Sequence, residues 1–138
     1  MSIATVICGN RRCPQSTAVL ADSGWPLAFH TIRTAIRSRI TRRTYVLMSD
    51  SAVGAHLAHA SGQFWWSEHV VHVTSRDFAS SVDQVAGFLR FGWPNNKRLP
   101  VAVVMLSAGQ PLVPVDAMRQ VVADHLVFCA DVTAMTTP

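Results

Sequence analysis

The 138-residue chain predicts a single α/β domain. Three features carry that expectation: short β-branched runs that are apolar throughout, stretches of helical spacing between them, and the regular alternation of the two. A strand that is apolar on both faces is buried on both faces, which is the condition of a parallel sheet covered by helices. Each strand then joins the next through a right-handed crossover. The expected architecture is one three-layer domain over residues 1–138 with a mostly parallel five-stranded sheet, Rossmann-like or flavodoxin-like.

The predicted strands are 3–8, 44–48, 69–74, 101–106 and 126–130, each a brief apolar run bounded by turn formers. Phe29, Ile32, Ile36 and Ile40 fall on one helical face and leave Arg33, Arg37 and Arg39 toward another. Val53, Leu57 and Ala60 repeat the spacing in a shorter helix. A third helix carries Val82, Val85, Phe88 and Leu89, with Ser75 or Ser80 as its N-cap. The fourth carries Met118, Val121 and Val122 and begins near Pro114 at its first helical position. Between the first strand and first helix, 16–21 reads as a short helix and Ser23-Gly24-Trp25-Pro26 as a turn. Gly92-Trp93-Pro94-Asn95-Asn96 is a surface loop.

A mean hydropathy of +0.24, with 49% hydrophobic and 14% charged residues, excludes a disordered chain, because that much apolar side chain offsets the entropy of ordering. No apolar run approaches the roughly 18 residues needed to span a bilayer. The first dozen residues place their arginines after their apolar side chains, the reverse of a secretory signal, so a cytoplasmic protein is expected. Cys8, Cys13 and Cys129 are odd in number and at no zinc-like spacing, which suits a reducing compartment.

Charge is uneven along the chain. Residues 1–50 hold seven arginines against Asp22 and Asp50, a net of +5, while 51–138 hold five cations against six acids, a net of −1. Arginine suits phosphate and carboxylate through its planar fork, although a GC-rich coding sequence produces the same bias. Arg33, Arg37, Arg39, Arg42 and Arg43 lie within eleven residues that contain no acid. An i, i+4 pair of like charges such as Arg33 and Arg37 costs a few tenths of a kcal/mol unless an anion compensates it. Nucleic-acid phosphate is one such anion; a solvated face, or carboxylates such as Asp77, Asp83 or Asp124 met in space, is the other explanation.

In open parallel sheets, ligands lie beyond the carboxyl ends of the strands. There the sequence offers Gly9 with Asn10, Arg11 and Arg12, then Asp50 and Ser51, then Ser75, Arg76 and Asp77, and finally Ser107 to Gln110 and Asp131. Asn10, Arg11, Arg12, Asp50, Ser51, Ser75 and Arg76 form the candidate ligand rim. Ser and Asp after a strand equally serve as helix caps.

Residues 6–13, Val-Ile-Cys-Gly-Asn-Arg-Arg-Cys, resemble the opening strand and phosphate loop of low-molecular-weight tyrosine phosphatases and arsenate reductases, and 45–51 resembles a later strand of that fold. The resemblance covers about a quarter of the chain and implies kinship of fold. That family places its cysteine nucleophile six residues before an arginine, whereas Pro14 follows Cys8 and Val19 follows Cys13 at that offset, and its late Asp-Pro is missing. Cys8, at a strand end before two arginines, reads either as an activated thiol or as a buried inert one.

His56 and His59 share a helical side, but His69 and His72 fall on opposite faces of a strand, so no metal site and no cofactor is expected. The single His-Val-Thr triplet at 72–74 lacks the second copy that two-histidine phosphoesterases require. Neither a Walker loop, a dinucleotide fingerprint nor a nucleophile elbow is present, and Glu68 is the one glutamate. Phe64, Trp65, Trp66 and Trp93 are read as a partner interface, since three adjacent aromatics cannot all face one core. These features together predict a non-enzymatic accessory subunit of a nucleic-acid-handling assembly, with an arginine-rich helix on phosphate, a protein partner on the tryptophans, and no membrane contact. The alternatives are a small phosphate-handling enzyme with its site at the strand carboxyl ends and a structural protein-interaction subunit.

Overall fold

The computed structural model describes residues 3–9, 27–49, 51–108 and 113–134, with the side chains of 51–53 and 61 left aside. Its elements run β1 (Ile3–Gly9), α1 (Leu27–Ser38), β2 (Thr44–Met48), α2 (Ser51–Ser61), β3 (Val70–Thr74), α3 (Ser81–Gly87), β4 (Ala102–Ser107) and α4 (Val115–Val127). A 3-10 turn, Ser67–His69, leads into β3, and a π-helical turn, Phe88–Gly92, extends α3. The single α/β domain is built on a parallel sheet in the order β3-β2-β1-β4, four strands among the described residues rather than five.

The missing fifth strand has a local cause. Leu126 to Ala130 is apolar enough to read as a strand, but the ladder of α4 continues into it: the Phe128 N–H donates to the Asp124 carbonyl at 2.9 Å. Cys129 then takes a positive φ of 50° and closes the helix. A short apolar run without its neighbours is ambiguous between helix and strand, and here the preceding helix decided. Pro114 stands at the N-cap of α4, one position before the place expected for it. Ser80 caps α3, its hydroxyl accepting from the Asp83 N–H at 3.1 Å.

Side-chain alternation along the strands builds two cores. Ile7, Val46 and Leu106 meet Phe29 and Ile32 of α1, Leu57 of α2 and Met118 of α4 on one face. Ala4, Val6, Cys8, Tyr45 and Leu47 meet Val85 and Phe88 on the other. Helices therefore cover both faces of the sheet in three layers. Trp66 is 1% exposed, stacks on Phe64 at 4.9 Å and meets Phe29 edge-on, so two of the adjacent aromatics complete the first core. Trp65 points away, 71% exposed.

The segment expected as a short helix, 16–21, and the turn at 23–26 lie outside the described residues. No helix among the described residues is long and apolar enough to cross a membrane.

Candidate functional site

The connectivity of the sheet selects the site. From β1 the chain steps outward to β2 and β3, then returns to the other side of β1 to form β4. In open parallel sheets a ligand lies in the crevice beyond the carboxyl ends of the strands at such a reversal, here β1 and β4, although both of these strands lead into helices on the same face, α1 and α4. Gly9 closes β1 at that edge, beside Ala108 at the end of β4. A Cβ on Gly9 would land on the thioether of Met48, so a bare backbone suits this tip.

The strand ends are tied together by hydrogen bonds. The Ala108 N–H donates to the Cys8 carbonyl at 2.9 Å, the Ser49 N–H to the Gly9 carbonyl at 3.2 Å, and the Ser75 N–H to the Met48 carbonyl at 2.9 Å. Gln84, reaching over from α3 and 1% exposed, donates from Nε2 to the Gly9 carbonyl at 3.1 Å and to Ser75 Oγ at 2.6 Å. A carbonyl can only accept, so this amide can face one way, and its buried Oε1 has no partner among the described residues. Sequence reasoning passed over Gln84; the signal was a lone amide among the apolar positions of a helix.

Ser75 thus takes its place at the rim as a linker, accepting from Gln84 and donating to the Arg76 carbonyl at 3.1 Å, and Arg76 is exposed beside it. Ser51 opens α2. Asn10, Arg11, Arg12 and Asp50 lie outside the described residues. Cys8 faces the second core at 2% exposure, and burial pushes its thiol up to about 12. It is a protonated thiol at neutral pH, not the nucleophile that the phosphatase resemblance would call for.

The five arginines do not share one helix. Arg33, half-buried, and the exposed Arg37 stand on α1, which ends at Ser38. Arg39 turns the chain with a positive φ of 55°, and Arg42 and Arg43 belong to the connection into β2, at the opposite edge of the sheet from the crevice. Among the described residues the ion pairs within 4.0 Å are His69–Glu68 and Arg119–Asp116. His56 and His59 are both exposed on α2, and among the described residues no three His, Cys, Asp or Glu side chains converge.

The fold has counterparts among solved structures. It superposes on CMP:2-keto-3-deoxy-manno-octonic acid synthetase complexed with CTP with a TM-score of 0.71 at 15% identity, over 94% of this chain and 49% of that one. It also superposes on Rv0371c of Mycobacterium tuberculosis H37Rv with a TM-score of 0.56 at 18% identity (89% and 60% covered), and on the manganese complex of that protein with a TM-score of 0.54 at 19% identity (89% and 59% covered). The chain spans about half to three fifths of the length of these neighbours. No protein-family profile matches it, and no curated protein matches it in sequence.

These neighbours overturn the expectation of a non-enzymatic accessory subunit in a nucleic-acid-handling assembly. The fold has its counterpart in a synthetase complexed with a nucleoside triphosphate, which points away from that role. At this identity the likeness establishes the fold alone.

Proposed function

We propose that the chain is the nucleotide-binding domain of an enzyme, and that it takes a nucleoside triphosphate, of which CTP is the first to test, in the crevice beyond β1 and β4. The observation that carries the reading is the reversal of strand order at β1, in a fold whose neighbour was captured with CTP. Arg11 and Arg12, which follow β1 in the chain, are the cations available to a phosphate there. Gln84 is the positioning residue, since it fixes the Gly9 carbonyl and the Ser75 hydroxyl relative to one another.

The described side chains do not assemble a protein cage for a divalent cation, and the β4–α4 connection, 108–114, contains no carboxylate. Half of the synthetase's length has no counterpart in this chain.

Isothermal titration of the 138-residue chain with CTP, UTP, ATP and GTP tests the reading. Saturable binding of at least one triphosphate, lowered about tenfold when Arg11 and Arg12 become alanine, is the expected result, from charge-assisted contacts of about 1.5–3 kcal/mol each. Absence of binding to all four at millimolar concentration removes the proposal.

A further inference from the structure

A cavity of about 610 Å³ opens at the other edge of the sheet, where the strands begin. That volume falls within the roughly 300–1,000 Å³ typical of small-molecule sites. Its walls come from the starts of β1 and β2, the segments just before β2 and β3, and the loop of Trp93 and Lys97 that precedes β4, so the cavity lies at the opposite edge of the sheet from the strands' carboxyl ends. Arg42, Arg43 and Lys97 bring three cations to it, and Tyr45 and Trp93 supply aromatic surface.

From these residues we infer an anion site at the amino edge of the sheet, for a small oxyanion carrying two or more negative charges. The three cations have no ion pair within 4.0 Å among the described residues. Glu68, the one carboxylate of the cavity wall, lies 3.7 Å from His69 with 79% of its side chain exposed, so its charge is directed to the rim and to its neighbour.

The scaffold is held in place before any ligand arrives. Thr41 donates to the Arg43 carbonyl at 2.9 Å, and its Oγ1 sits 2.9 Å from the hydroxyl of Thr5, which is wholly buried in β1. The short turn presenting both arginines is therefore fastened to the sheet. Across the cavity, Trp93 donates its indole N–H to the Arg98 carbonyl at 3.1 Å and packs its ring 5.2 Å from Tyr45 and 5.8 Å from Phe88. Two guanidinium forks on a fixed turn and one ammonium opposite match the oxygens of a diphosphate or a polycarboxylate, and preorganisation lowers the entropic cost of holding one.

Calorimetric titrations of the full chain with inorganic pyrophosphate and with citrate test the inference. Wild-type protein is expected to bind at least one saturably. Arg42→Ala with Arg43→Ala should weaken that binding at least tenfold, and Glu68→Gln should strengthen it about threefold by removing the local negative charge. Exchange of Arg11 and Arg12 for alanine, which tests the crevice separately, should leave it within about twofold. Preference for pyrophosphate over citrate assigns a phosphate ligand, and the reverse order assigns a carboxylate; either order supports the site. No saturable binding of either anion overturns the inference, as does binding that survives loss of Arg42 and Arg43. Thermal melts of each variant confirm folding, and the exposed side chains of Arg42, Arg43 and Glu68 are not part of the core.

Discussion

At the residue scale, four residues depart from ordinary behaviour, and each bears on a measurable consequence. Cys8 is protonated because burial disfavours its thiolate, so a thiol reagent at pH 8 should label the exposed Cys129 and leave Cys8 intact until denaturant is added. Peptide mapping of the labelled chain checks this. Burial also holds the imidazole of His72 below its usual 6.5. The unfolded chain then takes up a proton that the folded one resists, and stability falls as pH drops below about 6.5, by an amount set by the shift. Urea midpoints should be lower at pH 5.5 than at 7.5, and His72→Gln should narrow the difference. Burial, aided by the neighbouring Arg33, lowers His30 in the same direction, so some of the slope should persist. Arg39 holds a left-handed backbone at the end of α1, a conformation that costs a side chain about 1–2 kcal/mol. Part of that strain is recovered by Arg39→Gly, which should stabilise the domain by about 0.5–1 kcal/mol in a denaturant melt despite glycine's larger unfolded-state entropy.

At the scale of elements, α1 and α4 are joined by a cap that no local pattern announces. Arg119 of α4 donates from Nε to the Ser38 carbonyl at 2.9 Å and from Nη2 to the Arg37 carbonyl at 3.3 Å. Those carbonyls end α1, where the helix leaves acceptors unpaired and the macrodipole favours a cation. Arg119→Met should cost about 1–2 kcal/mol by chemical denaturation, and the effect should exceed that of Asp116→Asn, which removes only a fully exposed partner 4.0 Å away. The spacing of α1 was readable because Phe29, Ile32 and Ile36 repeat along one face. Its end was not, since Ile40 continues the same spacing beyond Ser38 and packs on the core from outside the helix. Arginines that look like one helical stripe are thereby divided between α1 and the opposite edge of the sheet.

For the molecule as a whole, the nucleotide reading predicts linkage between binding and stability. A ligand that binds only the folded chain adds about 2.7 kcal/mol at a hundredfold excess over its Kd. A triphosphate that fits the crevice should therefore raise the melting temperature, and Gln84→Leu should diminish that rise more than it lowers the melting temperature of the free protein. The reason is the unpartnered Oε1: its burial already burdens the free protein, while loss of the Nε2 contacts frees the Gly9 carbonyl and Ser75 that frame the site. A merely structural Gln84 would lower both equally.

The alternation of β-branched runs with helical spacing was enough to specify a parallel sheet covered on two faces, because burial on both sides leaves each strand no polar face to expose. Ser75 and Arg76 could be assigned to the carboxyl rim from chain order alone. Three outcomes were not legible in the spacing, the first for a local reason and the other two because the packed chain decided them. Leu126 to Ala130 became the end of a helix because the preceding turns already satisfied its backbone. Trp66 went into the core while Trp65 stayed in solvent. Gln84 met Gly9 across 75 positions of sequence, a contact that no periodicity encodes. Local spacing governs which face of an element is apolar, but partners brought together over such separations are chosen by the shape of the folded whole.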